Sequence, residues 1–255
     1  MTVRLDVLPA ADWATFVANE LAARLRAEPA LRLCLPTGDT PAPVYAALPG
    51  ALAAARSGLG SATVVLLDEW LGLPAGDPAR CDTRLRHELL DRVGRPSDLH
   101  LIRVDELQPE AAAAAHDVAV AEGLDLALLG LGTNGHVGFN EPGSTADSPT
   151  RVVELDHSTL NAAVGRYGAT RRPAGGVTVG LARLLEAVEI WLLVTGHRKA
   201  TVLARALEAP ETPDCPASFL RRHPALRVLA DEPAAAGLSA VLTRSGRIRG
   251  ARDGI

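Results

Sequence analysis

At 255 residues with 47% hydrophobic but only 3% aromatic side chains, the chain has room for one large α/β domain with an aliphatic core of Leu, Val and Ala. A net charge of −4 gives no general nucleic-acid footprint, and the absence of an apolar run of about 18 residues excludes a spanning helix, so neither nucleic acid nor a membrane is an expected partner. The start of the chain lacks the long apolar core of a signal peptide. Cys34, Cys81 and Cys215 are odd in number, widely spaced and form no CxxC pattern, which suits reduced thiols in a cytoplasmic protein.

In chain order, residues 4–8 alternate as a first strand. Residues 12–26 then repeat apolar side chains at helical spacing (Trp13, Phe16, Val17, Leu21, Leu25), with Asp12 as a cap. Residues 31–35 form a second strand running into Pro36-Thr37-Gly38-Asp39-Thr40-Pro41 and a helix over 42–52. Strand, glycine turn, Thr cap and Pro at the first helical position describe a helix N-terminus aimed at a crevice, which suits a phosphate. An ordinary capped turn reads the same way. The apolar run 62–67 ends in Asp68-Glu69-Trp70. Acids at the carboxyl end of a buried strand sit where open α/β sheets bind ligands, although capping the next turn is an equally simple role.

Residues 80–90 read as helical, 99–104 as a fourth strand, 109–122 as an alanine-rich helix and 124–131 as a buried strand closed by glycines. Residues 151–176 hold four glycines and Arg166, Arg171 and Arg172 in a weak apolar pattern. They make a candidate mobile lid with one short helix over 158–164, or a solvated surface excursion. A helical pattern resumes over 178–187, and 189–194 is a further strand, followed by Thr195-Gly196-His197-Arg198-Lys199 and a helix to residue 207. Lys199 is the only lysine among 26 basic side chains. It stands in a first helical turn, unfavourable for the dipole unless an anion lies there. A last strand covers 226–229, and the tail from 244 is poor in apolar residues and expected to be mobile. No repeat or linker divides the chain. The alternation predicts a single α/β domain over residues 1–255, with one doubly wound, mostly parallel, Rossmann-like sheet flanked by helices.

The chemistry concentrates after the strand at 124–131. Gly130, Gly132, Gly135 and Gly138 alternate with Asn134, His136, Asn140 and Glu141. A glycine-dense loop after a buried strand lets backbone approach a ligand, and here it delivers an imidazole and a carboxylate to the carboxyl end of the sheet.

Gly132-Thr133-Asn134-Gly135-His136-Val137-Gly138-Phe139-Asn140-Glu141-Pro142 resembles the signature of the glucosamine-6-phosphate deaminase (isomerase) family. Segments 36–41, Leu67-Asp68-Glu69-Trp70, Thr178-Val179-Gly180 and Gly196-His197-Arg198-Lys199-Ala200 resemble the same family in the same order, so the likeness covers about 31–233. The resemblance implies conversion of glucosamine 6-phosphate to fructose 6-phosphate and ammonia without metal or organic cofactor. It implies Asp68 as the base moving a proton from C2 to C1, and His136 as the ring-opening group assisted by Asn134 and Glu141. Thr37, Gly38, Asp39, Thr40 and Lys199 would hold the phosphate, and Arg166 would reach it from the lid. The family includes monomers and hexamers, so a homo-oligomer is compatible. An imidazole, titrating near neutrality, suits proton movement between an anomeric hydroxyl and a ring oxygen, and a held phosphate supplies remote binding energy that fixes C1 and C2.

The chain departs from the pattern in four places. Arg166 matches the lid arginine only with one residue inserted nearby. Asn134 stands where many members have an acid, and Asp39 where glycine or serine is usual. Arg151 matches one member of the basic effector pair of activated enzymes, but Val153 replaces the second. A carboxylate beside a phosphate is repulsive, so the Asp39 side chain is expected to turn outward and cap nearby N–H groups, leaving its own N–H for the ligand. Two other readings compete. A 6-phosphogluconolactonase would share the Gly-His loop but lack the Gly138–Pro142 continuation. A non-catalytic sugar-phosphate sensor would need a DNA-binding module for which the chain has no spare segment. No G-x-G-x-x-G opens a helix after the first strand, which argues against a dinucleotide enzyme.

Overall fold

The computed structural model describes residues 3–239 and 247–248. The chain opens with β1 (Arg4–Leu8), α1 (Ala10–Ala27), β2 (Arg32–Leu35), α2 (Pro41–Ala55) and β3 (Thr63–Leu66). It continues with β4 (Asp68–Leu71), α3 (Cys81–Leu85), a π-helical turn at Arg86–Leu90, α4 (Asp91–Val93), β5 (Asp98–His100), α5 (Pro109–Ala121) and β6 (Leu126–Gly130). After the glycine loop come β7 (Arg151–Val153), α6 (His157–Gly165), β8 (Gly175–Thr178), α7 (Leu181–Leu185) and β9 (Glu189–Val194). A 3₁₀ turn at His197–Lys199 leads into α8 (Ala200–Glu208). The 3₁₀ segment Pro216–Arg222, β10 (Leu226–Asp231), α9 (Glu232–Ala235) and β11 (Arg247–Ile248) complete the described elements.

Eight strands form one sheet in the order β11-β1-β10-β9-β6-β2-β3-β5, every neighbouring pair parallel. Strand residues alternate between two apolar layers, as a pleated sheet covered on both faces requires. Leu33, Leu35, Val64, Leu66, Leu126 and Leu128 pack against α1 and α2 on one side, whereas Cys34, Val65, Ala127, Leu129, Ile190 and Leu192 face the opposite layer. From β2 the chain winds outward through β3 to β5, and from β6 it winds the other way through β9 to β10. The switch therefore lies between β2 and β6, where the loops leaving two neighbouring strands diverge and open a crevice.

The sequence pattern does not foresee a second sheet, the antiparallel trio β4-β8-β7. Both ends of the stretch read as a lid belong to it. Arg151–Val153 and Gly175–Thr178 are strands, and the latter is buried along its length. Three boundaries also move. The first helix begins at Ala10 with Pro9 at its cap and Asp12 inside its first turn. The strand expected over 99–104 shortens to Asp98–His100, and the helix expected from 178 starts at Leu181 because Thr178 ends β8. The expected tail from 244 lies outside the described residues except for Arg247–Ile248. No helix among the described residues is long and apolar enough to cross a membrane.

Candidate active site at the sheet switch point

Four loops leave the carboxyl ends of the adjacent strands β3, β2, β6 and β9, and with α6 they enclose a cavity of about 570 Å³. Thr37, Gly38, Asp39, Thr40, Asp68, His136, Arg166 and Lys199 all lie on its lining. Asn134 and Glu141 stand behind His136 and reach the cavity through it.

In the loop after β6, the Glu141 Oε2 atom lies 3.1 Å from His136 Nδ1 and accepts a 2.7 Å hydrogen bond from Asn134 Nδ2. Asn134 Oδ1 accepts from the His136 backbone N–H at 3.2 Å, so the amide braces both members of the pair. The other carboxylate oxygen, Oε1, accepts a 2.5 Å hydrogen bond from the Thr159 hydroxyl on α6. Burial pushes the Glu141 carboxyl up, but the bonds from His136, Thr159 and Asn134 outweigh it and hold it below its ordinary value. The Glu141 carboxylate is placed to accept from a protonated Nδ1, which fixes the imidazole ring and leaves Nε2 outside this pair. The loop can fold this way only with glycine at 132. A Cβ there would stand 2.3 Å from the His136 ring.

Asp68 is the first residue of β4, and its pairing with Thr178 of β8 buries it at the junction of the two sheets. Burial raises its carboxyl to about 6, while the Cys81 thiol and His136 act in the opposite direction. Its neighbour Glu69 plays a different part. Fully buried, it accepts from the backbone N–H groups of Trp70, Cys81 and Asp82 and lies 3.6 Å from Arg80 Nε, which makes it the anchor of α3.

Gly38 has φ +125°, a conformation open to glycine, and turns the chain into the N-terminus of α2. Thr40 is the N-cap residue, but its side chain makes no capping hydrogen bond. The larger correction concerns Asp39. Its carboxylate does not turn outward to cap N–H groups. It reaches across the crevice to Arg166 Nη1 at 2.9 Å, with the two side chains 54% and 47% exposed. Lys199 sits in the 3₁₀ turn before α8, and burial lowers its ammonium to about 8, with Arg166 and Arg198 acting in the same direction and Asp39 against them. Three cations therefore face one carboxylate at this end of the cavity, a balance that favours an added anion.

Several lining residues carry no local sequence signal. Thr159 and Tyr167 come from α6 and the turn after it, and the Arg84 guanidinium lies 4.3 Å from the centroid of the Tyr167 ring. Cys81 brings its thiol between Thr37 and Asp68, where burial keeps it protonated. Trp70 and Phe139 pack with ring centroids 4.5 Å apart. Cys34, Cys81 and Cys215 are all free and buried.

A doubly wound sheet with an acid–base cluster and a cationic cradle at its switch point defines an α/β protein equipped for proton transfer on an anionic ligand. The family model for glucosamine-6-phosphate isomerases and 6-phosphogluconolactonases matches residues 8–228, and the chain belongs to that family. A glucosamine-6-phosphate deaminase of Rhodopirellula baltica is 37% identical over 91% of this chain and 95% of its own length. The Streptomyces coelicolor protein of the same name is 38% identical over 87% of each. Among solved structures, a monomeric glucosamine-6-phosphate deaminase superposes with a TM-score of 0.86 at 29% identity, covering 92% of this chain and 100% of that one. A Leishmania guyanensis 6-phosphogluconolactonase shares the fold, with a TM-score of 0.75 at 21% identity.

Proposed function

We propose that this protein is a cytoplasmic glucosamine-6-phosphate deaminase, converting glucosamine 6-phosphate and water to fructose 6-phosphate and ammonia. The observation that carries the reading is one cavity holding a buried carboxylate and, apart from it, an imidazole paired with a second carboxylate. Asp68 is lifted to about 6 by burial, and His136 is oriented by an ionised Glu141. Environments that differ this way let neighbouring groups take different proton-transfer roles at one pH. The deaminase relatives, at 37% and 38% identity over most of the chain, support the same activity.

In this reading the phosphate sits against the loop Thr37–Gly38–Asp39–Thr40, with Lys199 and Arg166 supplying charge. His136 Nε2 takes the proton of the anomeric hydroxyl and delivers one to the ring oxygen, opening the ring. Asp68 then removes the C2 proton made acidic by the C1 aldehyde and returns a proton at C1. The C2 amine becomes an imine, which water hydrolyses to the ketone and ammonia. Asn134 offers no acidic proton. Its part is to hold Glu141 and the His136 backbone in place.

Ammonia release measured across amino sugar 6-phosphates tests the proposal and reports whether the gluco or galacto epimer is preferred. Acid release from 6-phosphogluconolactone without ammonia release from the amino sugar would favour the hydrolase reading instead. Binding of both without turnover would mark a sensor.

A further inference from the structure

The ring-opening pair is completed by a residue outside its own loop. Asn134, His136 and Glu141 all belong to the segment after β6, and their mutual bonds use only one of the two Glu141 oxygens. The second, Oε1, is held by the Thr159 hydroxyl at 2.5 Å, in the short range of charge-assisted bonds. Thr159 is buried and lies in the first turn of α6, a helix started by Asp156, whose carboxylate accepts from the Ser158 N–H at 2.7 Å. Arg166 follows directly after the helix, about two turns beyond Thr159 and so on the same face, and it bonds to Asp39 of the loop after β2. One helix thus touches the acid–base loop at its beginning and the anion cradle at its end.

We propose that Thr159 is a positioning residue for the ring-opening step: its hydroxyl fixes the Glu141 carboxylate, and with it the orientation of His136, to the position of α6. This rests on the deaminase reading for the step it serves, but the geometric claim stands apart from turnover. Without the hydroxyl, Glu141 Oε1 loses its donor in a nearly dry setting and the carboxylate is free to rotate away from Nδ1. The reacting atoms are not touched, so binding of the phosphorylated sugar is preserved and the cost falls on kcat. Outer partners that orient metal-ligating side chains contribute about 10–100-fold, and an effect of that order is expected of the same kind of support here.

The test compares Thr159→Val, which keeps shape and removes the hydroxyl, with Thr159→Ser, which keeps the hydroxyl. Thr159→Val is expected to lower kcat on the cyclic substrate roughly tenfold or more, with KM changed less than about threefold. The acidic limb of its kcat–pH profile should move to higher pH, because the Glu141 carboxyl gains protons more readily. Thr159→Ser is expected to restore most of the rate and the original limb. An activity-independent arm follows the proton resonance of the His136 Nδ1–H, expected to be protected from exchange in wild type and the Ser variant and lost in the Val variant. Wild-type kinetics and an intact resonance in Thr159→Val would overturn the proposal. Equal damage in the Val and Ser variants would also overturn it, by showing that packing rather than the hydroxyl matters. If the wild type released no ammonia, the deaminase reading would fall while the resonance still decided the positioning claim.

Discussion

Asp39 offers a direct measure of how the anion cradle is balanced. Its carboxylate occupies the cradle itself, 2.9 Å from Arg166 Nη1, on the crevice wall opposite α6. A substrate phosphate approaching Arg166 must share that cation with a like charge. Two unit charges about 4 Å apart repel by about 1 kcal/mol in water and about 4 kcal/mol in the intermediate dielectric near a protein surface. With 54% and 47% of the two side chains exposed, the lower end applies. The ion pair lost on substitution is itself worth only about 0–1 kcal/mol. The net for Asp39→Asn is then about 1 kcal/mol in favour of the anion, or roughly three- to tenfold tighter binding. Inorganic phosphate, titrated calorimetrically and as a competitive inhibitor, reads this without dependence on turnover. The gain should shrink at high salt, where screening weakens the repulsion. It should also shrink in an Arg166→Gln background, because releasing Arg166 is part of its source. Unchanged or weaker phosphate binding in Asp39→Asn would refute the reasoning and make Asp39 the group that presents Arg166 to the ligand.

Asp68→Asn is expected to lower kcat by about 10²–10⁴-fold while sugar phosphate still binds. The same substitution should raise the melting temperature at pH 8. A carboxyl lifted from 3.8 to about 6 by burial carries an ionisation cost of roughly 3 kcal/mol at most. That cost is absent below about pH 4 and complete above about pH 6, so thermal scans should show the two proteins converging in acid. A variant less stable than wild type at pH 8 would count against the burial argument. His136→Gln should slow the cyclic substrate more than an open-chain analogue, and equal slowing would move His136 to the later proton transfers. N-acetylglucosamine 6-phosphate should not activate the enzyme. The Arg151 guanidinium is already engaged by Asn140 Oδ1 at 3.0 Å, Pro149 O at 3.1 Å and Ser144 Oγ at 2.7 Å, and Val153 supplies no second cation. A sigmoidal rate curve made hyperbolic by that compound would contradict this.

The main sheet was readable because each of its buried strands is an apolar run bounded by turn residues. Residues 189–194 match Glu189–Val194 without adjustment. The crevice followed from the same pattern, since the glycine turns at Gly38 and Gly132 come directly after strands that prove to be neighbours. The partner of Asp39 has no local signature. A carboxylate in a helix-opening turn has local N–H groups to cap, and nothing nearby in sequence points to Arg166, 127 positions away. Thr159 was missed for a similar reason. A threonine in the first turn of a short helix is ordinary until Glu141, 18 positions earlier, is known to lie against it.

The second sheet shows the limit more sharply, because it tunes the residue that sequence alone had singled out. Asp68 reads as the end of a buried apolar strand, facing the crevice. In the fold it begins a new strand instead. The backbone N–H of Val179 closes on Leu67 O at 2.9 Å, and Thr178 pairs opposite Asp68. The strand responsible, Gly175–Thr178, begins with two glycines, and glycine is depleted in strands because it weakens them. Those glycines are there for close approach: a Cβ on Gly176 would meet the Phe139 ring at 2.5 Å, and Phe139 in turn packs on Trp70, two residues after Asp68. The residues that look least like a strand are therefore the ones that let β8 close over the carboxylate. Its proton affinity is set by a pairing more than a hundred positions away along the chain, which no local pattern around Asp68 contains.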